Sequence, residues 1–216
     1  MTEPDTTDRS TRLRDPERTR ADVLAVATEV FADSGYSGAR IDEIARRTRT
    51  TKRMIYYYFG GKEQLYLAVL EEAYRGIREA EQSLQVQELE PAEALRRLAE
   101  LTYDHHLKHS DFIRLVAIEN IHRGRFISEL ESLHDLNTPA MGVLDGIIAQ
   151  GHKKGVFREE VNALDLHLLI SSYCVFQVAN RYTFSVLFDS EFASPQRQHQ
   201  MRSLIGDVVV RWAAAD

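Results

Sequence analysis

The stretch RRTRTTKRMIYYYF, residues 46–59, decides how this chain is read. Five of its first eight residues are cationic, and three consecutive tyrosines follow. The whole chain of 216 residues nevertheless has a formal net charge of -6. The two facts are reconciled by position. Residues 36–62 hold seven Lys or Arg against two acidic residues, whereas residues 64–216 hold 15 against 22. Local patches, not net charge, decide whether a surface attracts phosphate, so a basic unit on an acidic body is compatible with a polyanionic partner. On charge alone, a solvated basic helix face explains the patch equally well.

Working outward, the periodicity is helical everywhere. Asp15-Pro16 reads as an N-cap followed by Pro at the first helical position. Val23, Leu24, Ala27, Val30 and Phe31 follow at helical spacing until Gly35. A short second helix fits 41–47, with Ile44 and Ala45 inward, and the polar run 48–51 breaks it. A third fits 52–58, with Ile55 and Phe59 inward, and Gly60-Gly61 ends it. Lys62 opens a long helix to about residue 85. Further helices are expected over 91–108, over 112–122 with Ser110 or Asp111 as cap, and over 126–152 with a break or kink near Asn137-Thr138-Pro139. The segment 163–188 is apolar around most of its circumference, and a last helix over 195–213 follows Ser194-Pro195.

No alternating strand pattern and no internal repeat is found. The expected fold is therefore all-α with about nine helices. It divides into a disordered tail (1–14), a three-helix helix-turn-helix DNA-binding domain (15–62) and a helical regulatory and dimerisation domain (63–216). In a helix-turn-helix the third helix of such a unit lies in the DNA major groove. Cys174 is the one cysteine, which rules out an internal disulfide and a thiolate metal cluster and fits a reducing cytosol. No stretch reaches the 18 or so apolar residues of a membrane span, and residues 1–15 lack the apolar core of a secretory signal. A cytoplasmic protein is expected.

The N-terminal residues carry a resemblance. VLAVATEVFADSGY (23–36), IDEIA (41–45) and IYYYFGGKEQL (55–65) resemble, in order and spacing, the TetR family of bacterial transcriptional repressors. The family pattern in the last segment is roughly apolar-Tyr-x-Tyr/His-Phe-x-x-Lys-Glu-x-Leu. The resemblance covers residues 16–70, while the rest agrees only in helix number and length. Two positions depart from the family. Arg49 stands where the family prefers Gly, often at positive φ, and Arg40 stands where Thr or Ser usually caps the second helix. Each change gives up local helix stability, on the order of 1 kcal/mol at Arg49, and adds positive charge.

Candidate DNA contacts follow. Thr51 is placed as N-cap of the recognition helix. Lys52, Arg53 and Met54 form its exposed first turn, the part that reaches base edges. Arg53 suits a bidentate contact to guanine, Lys52 also suits guanine acceptors, and Thr50 or Met54 suits a thymine methyl. By resemblance, Tyr57 bonds a phosphate through its hydroxyl, Tyr56 does the same with its ring packed, and Lys62 clamps a phosphate at a helix N-terminus. Arg40 and Arg49 are further phosphate candidates. Arg46 and Arg47 end the helix behind the groove.

The resemblance also implies double-stranded operator DNA as partner, a homodimer through residues 163–188 and 195–213, and a small-molecule inducer. Polar or aromatic residues on helices expected to be apolar inside are the pocket candidates: Tyr103, His106, Met141, Asp145, Tyr173, Phe176, Gln177 and Asn180. Each is also explained as a satisfied core residue. His105-His106-x-x-His109 invites a metal reading, but two histidines one turn apart are too few for zinc, and exposed helix histidines explain them better. No cofactor and no metal is expected. No Gly-x-Ser-x-Gly and no phosphate-cradling glycine loop is present, so an enzyme reading has no motif. The alternative from another class is a helical enzyme or carrier whose N-terminal unit serves only oligomerisation.

Overall fold

A computed structural model describes residues 16–130 and 132–215, with only the backbone path for 87 and 133–140. The elements are α1 (Pro16–Gly38), α2 (Ile41–Arg47), α3 (Lys52–Phe59), α4 (Lys62–Gln82), α5 (Pro91–Lys108), α6 (Ser110–Ile121), α7 (Leu133–Lys153), α8 (Ala163–Ala179), α9 (Arg181–Leu187) and α10 (Pro195–Ala213). Two 3-10 turns, Val86–Glu88 and Ile127–Glu129, join them. The described residues hold no strand, only one isolated bridge between Phe157 and Ala214. The fold is all-α as expected. The proposed tail 1–14 and the Asp15 cap lie outside the described residues.

The described residues form ten α-helices rather than nine because the segment 163–188 divides at Asn180 (φ -102, ψ 1). Asn competes for backbone groups: its Nδ2 donates to Phe176 O at 3.3 Å, and Thr183 Oγ1 donates to Asn180 O at 3.0 Å. Of the break or kink expected at Asn137–Pro139, the break does not occur. The interruption precedes it, between the 3-10 turn and Leu133, and α7 then runs through Pro139. A proline in the second turn forfeits a single i−4 bond of a long helix. Ser110 and Asp111 do not cap α6. They occupy its first turn, because α5 ends at Lys108 and leaves His109 alone as the cap position, with no side-chain cap bond. Local caps elsewhere follow the sequence. Thr51 Oγ1 accepts from Met54 N, and Ser194 Oγ accepts from Arg197 N, both at 3.3 Å. Gly35 (φ 67) interrupts α1 as expected, although one more turn carries it to Gly38.

Two large apolar cores result among the described residues, with a smaller cluster of Ile77, Phe112, Ile113 and Val178 between them. The body core joins α5, α7, α8 and α10 through Leu95, Leu98, Ile147, Leu166, Cys174, Ile205 and Val209. The head core joins Val23, Phe31, Ile44 and Ile55 to Tyr66 and Val69 of α4, so it continues past residue 62. It also includes Leu115 of α6 and Phe126. An aromatic cluster fills this side. Tyr66 meets Phe31 edge-on at 4.9 Å and Phe126 at 5.1 Å, and Tyr36 lies 4.3 Å from Phe126.

A buried carboxylate ties the cluster together. Glu119 of α6 is 3% exposed. It accepts a hydrogen bond from Tyr66 Oη at 2.9 Å and from the backbone N–H groups of Phe126 (3.2 Å) and Ile127 (3.0 Å). Burial and this bond together push the Tyr66 phenol far above its ordinary range. On the surface, Arg114 of α6 pairs with Asp33 of α1. Helix α6 is thus fastened to the head by packing, by one buried acceptor and by one exposed ion pair. Replacing Glu119 by Ala leaves a phenol and two backbone donors unpaired, so chemical denaturation should show a loss of about 2–3 kcal/mol, against less than about 1 kcal/mol for the exposed Arg114→Ala.

Candidate nucleic-acid interface

The end of α2 has a definite geometry. Thr50 N donates to Ala45 O at 3.0 Å, and Arg49 N donates to Arg46 O at 3.3 Å. With Arg49 at φ 51 this is a Schellman closure, in which glycine is the usual residue because L side chains are strained there. The family's glycine position is thus at positive φ in this chain too, but occupied by Arg. Thr48 adds a bond from Oγ1 to Ile44 O at 2.8 Å. Arg40 sits at the N-cap of α2 and makes no side-chain cap bond.

The turn aims α3 outward. Ile55 and Phe59 anchor it in the head core. Opposite them, Lys52, Arg53, Tyr56 and Tyr57 are exposed, Tyr57 at 79% and Tyr56 at 47%. The Tyr56 ring is therefore less packed than its spacing suggests. Met54, Thr50 and Tyr58 are half-buried, and Tyr58 meets Tyr57 edge-on at 5.5 Å. Arg40, Arg49 and Thr51 are exposed on the same unit. Lys52 is held by Asp42 of α2, and Arg47 by Glu29 of α1. Lys62, the first residue of α4, lies over the Tyr36 ring at 4.9 Å. Burial lowers its pKa from the usual lysine value. A cation absent from the sequence reading, Arg20, stacks over the Phe59 ring at 5.1 Å and adds charge beside α3. Its only sequence signal is a position one turn before the apolar face of α1.

The eight residues proposed for a ligand pocket are not brought together. Phe176, Gln177 and Asn180 line a cavity of about 310 Å³ with Phe184, Phe188 and Phe192. His106 lines a different cavity of about 200 Å³ between α4, α5, α6 and α8. Tyr103 is in the body core and Met141 packs against it. Tyr173 donates to Met201 O at 3.1 Å. Asp145 is exposed on α7.

The histidines differ from expectation as well. His109 is exposed, but His106 is 4% exposed and His105 half-buried. Burial pushes the His106 imidazole down to about 3 and that of His105 down to about 4, so both are neutral at ordinary pH. No group of three or more His, Cys, Asp or Glu able to hold a metal is found among the described residues. Cys174 is buried in the body core, where desolvation pushes its thiol up to about 12. Among the described residues no helix is long and apolar enough to cross a membrane.

One face of the body is unusually apolar. Leu164, Leu168 and Phe176 on α8, Val186 and Leu187 on α9, and Leu204, Val208 and Trp212 on α10 are all exposed, Val186 to 83%. Large contiguous apolar patches of this kind mark interaction surfaces.

Comparison with known proteins agrees with this architecture. Residues 23–69 match the family described as bacterial regulatory proteins, tetR family, and residues 91–209 match the tetracyclin repressor-like C-terminal domain. The chain is 36% identical over 200 residues to the HTH-type transcriptional repressor NicS of Pseudomonas putida, covering 93% of this chain and 94% of that one. It is 31% identical over 159 residues to the HTH-type transcriptional repressor SCO4008 of Streptomyces coelicolor, covering 73% and 77%. A solved tetR-family regulatory protein from Rhodococcus RHA1 shares the fold, with a TM-score of 0.71 at 20% identity over 92% of this chain and 99% of that one. Head, body and relatives agree: the chain belongs to the TetR family of bacterial transcriptional regulators.

Proposed function

We propose that this protein is a ligand-responsive repressor that holds a pseudo-palindromic operator as a homodimer and leaves it when a small inducer binds. The observation that carries the DNA reading is the first turn of α3. It is capped by Thr51 and anchored by Ile55 and Phe59, and it presents Lys52 and Arg53 to solvent. Arg53 reads guanine, and Lys52 exchanges Asp42 for a base acceptor as the helix enters the groove. Arg40, Arg49, Tyr56, Tyr57 and Lys62 surround that turn as phosphate contacts that set register. The names of NicS and SCO4008 support repression.

The apolar face of α8, α9 and α10 supports a dimer through residues 163–188 and 195–213. A face that one chain leaves in water is covered by its twin, and two-fold pairing sets two recognition helices about one DNA turn apart. An inducer then acts only by preferring the conformation that does not bind DNA. Helix α6 offers a route for that preference, since it lines a body cavity at Phe112 and Val116 and holds the head at Glu119.

Three outcomes are expected with DNA from the region upstream of the protein's own gene. Arg53→Ala should weaken binding by roughly 5- to 150-fold, the worth of one good base contact. Unchanged affinity, measured by gel shift, would remove the assignment of α3 as reading helix. Arg49→Gly should separate stability from function: the thermal midpoint stays or rises as strain is relieved, while operator affinity falls with the lost charge. Leu204→Glu with Trp212→Ala should yield monomers by sedimentation and cut operator affinity by at least about ten-fold, because two half-sites are no longer bound together. A stable dimer from that variant would place the interface elsewhere.

A further inference from the structure

We infer that the cavity between α4, α5, α6 and α8 is the effector site, and that its ligand is a small carboxylic acid with a compact apolar body. The inference rests on the reading of the chain as ligand-responsive and names the chemistry of that response. At about 200 Å³ the cavity is smaller than the pockets of about 300–1,000 Å³ that take drug-sized molecules. Its walls are apolar, with Tyr74 and Phe112 meeting edge-on at 5.1 Å and Ile77, Val116 and Val175 beside them.

The polar lining is specific. Arg78 is 7% exposed and Glu81 5%, and they pair through a single guanidinium nitrogen at 2.6 Å. Arg78 Nε has no hydrogen-bond partner, and neither has His106 Nδ1. His167 meets Ser171 Oγ at 3.4 Å on the same wall. Buried donors without partners cost free energy, and a permanently charged guanidinium with an unused N–H is the group best matched to a carboxylate. A cationic ligand would meet Arg78 with only Glu81 to offset it, and Glu81 is already engaged. A neutral ligand would satisfy Nε but gain no ion pairing. An acid satisfies both, with the Ser171 hydroxyl and the His106 ring, in its Nδ1–H tautomer, as further donors. Phe112 and Val116 connect this lining to α6, the helix whose Glu119 holds Tyr66 and the Phe126 backbone.

The other openings fit less well. The cavity lined by Phe176, Phe184 and Phe188 opens on the apolar face assigned to the dimer. The wider cleft of about 800 Å³ is lined by charges of both signs, several of them already paired, such as Arg202 with Asp104 and Glu72 with Arg75.

Isothermal titration of the full chain with butyrate, benzoate and phenylacetate, each beside its amide, tests the inference. At least one acid should bind and its amide should bind at least about ten-fold more weakly, the difference expected of a charge-assisted bond. Val175→Phe and, as a milder filling, Ser171→Leu should lower that affinity at least about ten-fold, with folding of each variant checked by helical circular dichroism and a cooperative thermal transition. No binding by any acid, equal binding of acid and amide, or undiminished binding in a folded filled variant would overturn the assignment. A wild-type protein that binds operator but none of the acids sinks this inference alone. Acid binding that the filled variants lose, in a protein that never binds operator, sinks the repressor reading and leaves the site standing.

Discussion

The hydrogen bonds received by Glu119 are the constraint on which the rest of the structure depends. A carboxylate is costly to bury unless its lone pairs are occupied. Here one phenol of α4 and two successive backbone amides of the segment after α6 occupy them, so the bonds tie two separate parts of the molecule to one carboxylate. Tyr66 is on α4, in the half shared with the head core, and Phe126 inserts its ring into that core from the body side. The head therefore has no independent floor: α6 and the residues after it supply part of it. A displacement of α6 cannot leave the aromatic cluster of Tyr36, Tyr66 and Phe126 unchanged. That cluster in turn carries Lys62 on the face of Tyr36. Packed interiors respond to such shifts by switching arrangement rather than by stretching, which suits a regulator.

The recognition unit shows the opposite balance, with local stability given up for charge. Arg49 holds a left-handed conformation at the Schellman closure of α2, and Arg40 stands at an N-cap without capping. Two weak helix ends flank a helix of seven residues, α2, which is held by Ile41, Ile44 and Ala45 in the head core. The core tolerates such ends because Phe31, Ile44 and Ile55 are buried almost completely. What the strain provides is a ring of cations around the exposed turn of α3.

How much of this is legible in the sequence depends on the range of each interaction. The caps at Thr51 and Ser194 and the inward positions of Ile55 and Phe59 are settled within one or two turns, and the sequence shows them, whereas the left-handed conformation at Arg49 is open in the sequence because an Arg there can be accommodated by another turn. The division of 163–188 at Asn180 is also local, but an asparagine in an apolar run competes with the helix only when its backbone neighbours accept it. The Glu119 contacts join residues 53 positions apart, so a lone Glu in an apolar helix was the sole hint. The burial of His106 and the cavity around Arg78 and His167 depend on how four helices cross. For this reason polar residues chosen by helical spacing alone scatter over two cavities, the body core and the surface.

Operator binding as proposed requires a surface that neutralises several phosphates while the body stays acidic. The affinity of the intact dimer for labelled upstream DNA, measured by fluorescence anisotropy across salt concentrations, tests this most directly. A log–log slope of several units is expected, about -0.9 for each phosphate neutralised by Arg40, Arg49, Lys62 and their cationic neighbours. A flat salt response, or no binding at low salt, would contradict it.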